Sequence, residues 1–193
     1  MPLGRALLKL WRLTGILASV AAWLTIATST YFNPWFNIWR HAFSDLGAPR
    51  ASLPWVYNTG LVVSGALACL FSLYLLHVAR SKVEAFSSSL LFVAGIFLAL
   101  IGVFPSPTRP HTFVSTWFFI QVWLSFIGFS VASHLTRRRR LRTSLAVLGV
   151  LGPLGALLVE LLWGWPSVAL LEAYGIVVVN LGVAHLTLEY SLR

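Results

Sequence analysis

The residues with the clearest capacity for chemistry are a few histidines and acids in an otherwise apolar chain. There are only five acidic residues and five histidines among 193 residues. One short segment, HAFSDLGAP, combines His41, Ser44 and Asp45 ahead of a Gly-Ala-Pro turn. Histidines with an aspartate or a glutamate can hold a zinc ion in tetrahedral geometry, with water in an open position. Nearby arginines would instead favour a phosphate-bearing head group, because a guanidinium group donates two parallel hydrogen bonds to phosphate.

Six apolar segments must position these residues. The composition is 58% hydrophobic and only 10% charged, and about 20 consecutive apolar residues are enough to span the hydrocarbon core of a bilayer. The predicted spans are Leu13–Tyr31, Val56–Val78, Phe86–Phe104, Thr112–Leu135, Leu145–Trp163 and Val168–Leu188. Because the connections are short, the sequence predicts an all-α polytopic membrane protein with a single six-helix transmembrane domain over residues 1–193.

The positive charges predict how the bundle lies in the membrane. Eleven of the 14 Lys and Arg residues lie before the first span, after the last, or in the connections after the second and fourth spans. Positive residues in short loops mark the cytoplasmic side, so we expect both termini in the cytoplasm of a cell-membrane protein. The run RRRRLR at 137–142 is then a topology anchor near anionic lipid. We expect membrane lipids as partners and no nucleic acid, and the sequence leaves the oligomeric state open.

With this orientation, the candidate residues fall at one end of the bundle, the outer end. The longest connection, residues 32–55, holds the HAFSDLGAP segment, and its Trp and Phe residues suit the membrane interface. We expect this connection to pack on the bundle. A carboxylate within a spanning helix costs roughly 2.5–3.5 kcal/mol, so it usually faces a partner or a cavity. The other outer candidates are Asn58, Arg109, His111, Glu160 and Glu172.

These outer residues support three interpretations. In the first, Asp45 caps a turn and the polar groups only hold the connection against the helices. The second is a site for a ligand or lipid head group, formed by His41, Ser44, Asp45, Asn58, Arg109, His111 and Glu172. The third is a metal site with zinc as cofactor, formed by His41, Asp45, His111 and Glu172. A carboxylate left free in that site would act as the base in lipid hydrolysis. The motifs HExxH, GxSxG and a glycine-rich phosphate loop do not occur in the sequence, so no named catalytic chemistry is indicated.

The outer motifs resemble a known family. HAFSDLG, YNTGLVVSG and GVFPSPTRPH resemble a family of small prokaryotic multipass membrane proteins of unknown function. Its pattern runs H-x-x-S-D-L-G, an N-x-G at the start of the next helix, then F-P and a histidine. The residues that match are His41, Ser44, Asp45, Gly47, Asn58, Pro105 and His111, and Glu172 resembles the acidic residue near the start of the family's last helix. The resemblance implies a six-helix membrane protein.

Two more distant similarities concern lipids. The S-D-x-G loop is similar to that of DRAM-type and Sfk-type membrane proteins, which are linked to lipid organisation. In chemistry alone, the chain is similar to alkaline ceramidases and adiponectin-receptor-like proteins, which are intramembrane zinc hydrolases. It has six predicted helices rather than seven and lacks their C-terminal H-x-x-x-H. We therefore expect a lipid-binding or lipid-organising protein. The alternatives are a zinc-dependent lipid hydrolase and a transporter for a small solute, although no inverted repeat supports the transporter.

Overall fold

Six long α-helices account for most of the chain. A computed structural model describes residues 2–136 and 139–191. The helices are α1 (Pro2–Phe32), α2 (Pro54–His77), α3 (Lys82–Val103), α4 (His111–Thr136), α5 (Arg139–Leu162) and α6 (Val168–Glu189). Each helix is long and apolar enough to cross a membrane, and the described residues form no β-strand. The predicted fold class, an all-α membrane protein with six spanning helices, is confirmed.

Two helices begin well before the predicted spans. The largest differences are in α1, which starts at Pro2 instead of Leu13, and in α5, which starts at Arg139 instead of Leu145; α2, α3 and α4 start one to four residues before the predicted spans. Both extensions contain Arg or Lys, which lower the hydropathy that marks a span. The same residues are good helix formers, so the helix continues where the apolar segment ends.

Five of the six helices surround the interior of the bundle. Consecutive helices pack against each other from α1 to α6, and α6 returns to contact α1. α4 also contacts α6 directly, which places α5 outside the pair. The span of α5 is accordingly the least buried of the six: only 17% of the residues in its most apolar stretch are buried inside the protein. The space at the centre is therefore bounded by α1, α2, α3, α4 and α6.

The helices α2 and α3 approach each other closely enough for their backbones to touch. A Cβ atom added at Gly65 would lie 2.6 Å from the carbonyl oxygen of Gly95 and 2.6 Å from the backbone nitrogen of Ala99. No side chain fits at that distance. Small residues allow membrane helices to approach in this way, since dispersion contacts between backbones help to hold such helices together.

The connections define the two ends of the bundle. Segments 33–53, 104–110 and 163–167 lie at one end, which we call the site end. Segment 78–81 lies at the opposite end. The predicted cytoplasmic position of the termini remains a prediction. The arginine run proposed as a topology anchor falls outside the described residues at 137 and 138 and outside the described side chains at 139–142.

At the end opposite the site, a buried glutamate fastens the last helix to the bundle. Glu84 in the first turn of α3 is fully buried, and its Oε1 accepts a 2.6 Å hydrogen bond from the Tyr190 hydroxyl. Tyr74 of α2 donates its hydroxyl to the backbone carbonyl of Tyr190. A buried carboxylate needs such partners. Together these bonds hold the C-terminus of α6 against α2 and α3.

Candidate functional site

The connection between α1 and α2 folds over the site end of the bundle. It contains a short 3-10 turn, Phe43–Gly47, in which Phe43, Ser44, Leu46 and Gly47 are buried. Phe43 and Leu46 belong to the main hydrophobic core. The apolar positions of HAFSDLGAP thus pack inward on the helices, and we call segment 33–53 the roof.

Asp45 stabilises the turn from within. Its Oδ2 accepts the backbone N–H of Ala42 at 3.0 Å, which caps the first turn of the 3-10 helix. Its Oδ1 forms an ion pair with Arg50 at 2.8 Å. The Arg50 guanidinium also lies 5.8 Å from the centre of the Trp35 ring, a distance at which a cation is attracted to an aromatic face. Both oxygens of Asp45 are therefore engaged inside the roof.

Asn33 joins the two ends of the roof. This fully buried side chain donates to the carbonyls of Ser29 at 2.8 Å and Ser52 at 3.1 Å. Its Oδ1 accepts the backbone N–H of Ser52 at 2.7 Å and the indole N–H of Trp35 at 3.0 Å. An asparagine side chain can make four such bonds, and Asn33 makes all four. The C-terminus of α1 and the residues just before α2 are thus held together by one amide.

Three hydrogen bonds attach the roof to the first turn of α6. The Ser167 hydroxyl donates to the carbonyl of Ile38, and the backbone N–H of Ala169 donates to the carbonyl of His41 at 2.9 Å. The Phe43 N–H donates to Oε2 of Glu172 at 2.6 Å. The first N–H groups of a helix have no partner within it, and the roof supplies one.

α2 supports the roof from the other side. The Asn58 amide donates from Nδ2 to the carbonyl of Gly47 at 3.1 Å. A Cβ atom at Gly47 would lie 2.2 Å from Oδ1 of Asn58 and 2.8 Å from Cδ1 of Tyr57. Only a residue without a side chain therefore allows the turn to rest on α2 at this point.

Below the roof lies a cavity of about 110 Å³ within the bundle. Its wall comes from α1, α2, α3, α4, α6 and the turn of the roof, and it consists mostly of apolar side chains and glycines. The polar side chains at the site end of this wall are Ser44, Tyr57, His111, Ser115 and Glu172. The remaining polar residues in the wall are Ser19 and Asn180, which lie deeper in the bundle. The cavity is therefore an apolar chamber with a polar end beneath the roof.

Two of the polar side chains at that end, Glu172 and His111, each keep an atom that can accept a hydrogen bond from a ligand. Oε2 of Glu172 is occupied by Phe43, and among the described residues Oε1 accepts no hydrogen bond. The ring of His111 approaches the Phe104 carbonyl through Nδ1 at 2.8 Å. A carbonyl only accepts, so Nδ1 carries the proton, and in the neutral ring Nε2 is left as an acceptor.

The predicted site residues divide into two groups. Ser44, His111 and Glu172 line the cavity, whereas the other predicted residues do not. The His41 ring packs 5.2 Å from Trp35 and 5.8 Å from Phe36, between ring centres, and its Nδ1 accepts the N–H of Asn37. Arg109 and Glu160 are exposed at the site end. Asn58 and Asp45 position the roof, as described above.

The four residues proposed as metal ligands are not brought into one group. A catalytic zinc site takes three protein ligands around the ion. Across residues 2–136 and 139–191, no three His, Cys, Asp or Glu side chains are grouped to hold a metal. His111 and Glu172 share the cavity, His41 lies among aromatic rings, and Asp45 is paired with Arg50. The residues present do not fit the zinc ion of the third interpretation.

Three residues of this end were not predicted. Asn33 is followed by proline directly after an apolar span, and Asn-Pro is a turn signal. Ser167 follows Pro166 and precedes the last span, which is the pattern of a helix N-cap, and its hydroxyl does accept the N–H of Leu170 at 3.1 Å. Tyr57 carries no such signal, because an aromatic residue near the end of a span is ordinary.

Comparisons with known proteins place the chain in a family. The chain matches neither a curated protein nor a solved structure. A family model described as "Protein of unknown function (DUF998)" matches residues 16–189, which include all of the roof, the cavity wall except Gly15, helices α2 to α6, and residues 16–32 of α1. This six-helix membrane protein therefore belongs to the DUF998 family.

Proposed function

We propose that this protein binds a membrane amphiphile without chemically changing it. The hydrocarbon chain would lie in the central cavity, and the polar head would lie beneath the roof against Ser44, Tyr57, His111 and Glu172. The observation that carries the proposal is the division of one cavity into a long apolar wall and a polar end. Binding sites for small molecules are typically apolar with a few polar groups that fix the ligand's orientation.

The cavity is about as long as one leaflet of the bilayer is thick. Its lining residues on α1 run from Gly15 to Ile26, which corresponds to about 16 Å along the helix axis at 1.5 Å per residue. This is roughly half the thickness of the hydrocarbon core, or one leaflet. Apolar atoms in the wall gain dispersion contacts when hydrocarbon lies against them. A chain from one leaflet therefore matches the cavity in length. The volume of about 110 Å³ is below the roughly 150 Å³ of a cavity that holds benzene, so the helices must move apart to admit a whole chain.

The SDLG segment forms the turn of the roof over the polar end and brings Ser44 to the cavity. No observation favours the transporter.

Filling the cavity should abolish binding. We expect Ala22→Phe to prevent an amphiphile from entering, because Ala22 lies in the cavity wall on α1 and a phenyl ring would occupy the chain's place. Ala27→Phe is the matched control, since Ala27 is exposed on the same helix and does not line the cavity. The measurement is the amount of lipid bound to each purified, folded variant by native mass spectrometry. Equal lipid in both variants would show that the cavity is not the binding site.

We also propose that the site end faces outward and that both termini are cytoplasmic. Cys69, the single cysteine, is first replaced by serine, and single cysteines are then placed at Ser52, Thr108 and Ala79. The first two positions belong to connections at the site end and the third to the opposite end. A membrane-impermeant thiol reagent applied to intact cells should label positions 52 and 108 only. Labelling at position 79 alone would show that the site end and the termini face the opposite way.

A further inference from the structure

We infer that the cavity selects an amphiphile whose head group donates hydrogen bonds and carries no negative charge. An amine or a hydroxyl head would be accepted, and a phosphate or carboxylate head would be rejected. This inference rests on the proposed function and names the class of ligand that the polar end would take.

The charges that line the cavity are the first argument. Among the residues that the structure describes, Glu172 is the one carboxylate in the wall, and no Lys or Arg lines the cavity. An anionic head would need a cationic partner to offset the loss of its hydration, and it would instead meet a carboxylate. Repulsion between two negative charges is strong where the surroundings are apolar.

The arginines of the site end lie elsewhere. Arg50 is 66% exposed and is engaged with Asp45 in the roof. Arg40 and Arg109 are exposed, and neither lines the cavity. A phosphate recognised by these side chains would bind on the outer surface of the roof. The sequence suggests arginines near this segment as phosphate ligands, and the structure separates Arg40, Arg50 and Arg109 from the cavity.

The hydrogen-bonding capacity of the polar end is the second argument. Glu172 offers Oε1, which can only accept while the carboxylate is ionised, and His111, whose Nδ1 faces the Phe104 carbonyl, offers Nε2 as an acceptor whenever the ring is neutral. The hydroxyls of Ser44 and Tyr57 can either donate or accept. The two acceptors are complementary to the N–H groups of an amine or the O–H groups of an alcohol. A phosphate, which mainly accepts, would leave both of them unpaired.

A competition experiment with matched single-chain amphiphiles tests the inference. The protein is placed in nanodiscs of uncharged lipid with a fluorescent amphiphile bound, and dodecylamine, dodecylglycerol and dodecyl phosphate are added as competitors. We expect the amine and the glycerol ether to displace the fluorophore at concentrations at least about tenfold below that of the phosphate, since a charge-assisted hydrogen bond changes affinity by roughly that factor. Equal or better competition by the phosphate would overturn the inference and leave the proposed function standing. Failure of every competitor and of the fluorophore to bind would overturn the proposed function itself.

A charge-neutral variant assigns the selectivity to one side chain. Glu172→Gln keeps an oxygen for the Phe43 N–H and removes the charge, so the roof remains attached. We expect the affinity for dodecylamine to fall about tenfold and that for dodecylglycerol to change little. Glu160→Gln is the matched control, because Glu160 is exposed at the same end and does not line the cavity. An equal loss of amine affinity in both variants, or in neither, would show that Glu172 does not select the head group. The competition on the unchanged protein decides the inference even if Glu172→Gln fails to fold.

Discussion

Asn33→Ala is expected to lower the free energy of unfolding by about 3 kcal/mol, because the variant loses four hydrogen bonds at a fully buried position. Alanine leaves the backbone N–H and C=O of Ser52 and the indole N–H of Trp35 without their partner. The ends of the roof are then joined only through the rest of the segment. The measurement is unfolding in mixed micelles with increasing denaturing detergent, followed by circular dichroism.

Asn37 provides a matched control on the same segment. Its side chain is exposed and accepts a single hydrogen bond, from the backbone N–H of Trp39 at 2.8 Å. Water can replace that bond, so Asn37→Ala should lower the free energy of unfolding by no more than about 1 kcal/mol. Losses of the same size in the two variants would mean that Asn33 does not hold the roof closed.

The number and approximate positions of the helices could be predicted because the bilayer sets them. A span needs a long apolar segment, and the sequence contains six. The boundaries are harder to predict where charge and helix propensity disagree. Residues 2–12 continue α1 although their Arg and Lys residues fall outside the apolar segment.

Which residues meet in the site is harder to predict from the sequence than the end of the bundle at which they lie. Sequence position places His41, Asp45, His111 and Glu172 at the same end of the bundle, and the structure places all four there. Which of them meet depends on the direction in which each helix faces. Spanning helices are apolar towards lipid as well as towards their neighbours, so hydrophobic periodicity does not identify the inner face. Glu172 and Phe43 are 129 residues apart in the sequence, so no local sequence pattern predicts the hydrogen bond between them.

The same carboxylate connects the roof with the cavity. Oε2 of Glu172 holds the roof through the Phe43 N–H, while its side chain also lines the chamber. Ser44, the next residue of the turn, lines the chamber as well. Movement of the turn would therefore change the polar end of the cavity directly. The contact between the turn and α2 thus affects both the stability of the roof and the geometry of the cavity.

Gly47→Ala is expected to lower the free energy of unfolding by about 2 kcal/mol and to weaken amphiphile binding, because overpacking at a tight contact forces neighbouring groups to shift. The added Cβ atom would lie 2.2 Å from Oδ1 of Asn58 and 2.8 Å from Cδ1 of the buried Tyr57. The turn must then move away from α2 and carry Phe43 and Ser44 with it.

A second variant tests whether this contact is the cause. Asn58→Ala removes the atom nearest to the added Cβ, together with the hydrogen bond from Asn58 to Gly47. Because both changes disturb one contact, the double variant should lose less stability than the sum of the two single losses. Unfolding in mixed micelles measures all three variants, and strictly additive losses would show that Gly47 and Asn58 do not act through the same contact.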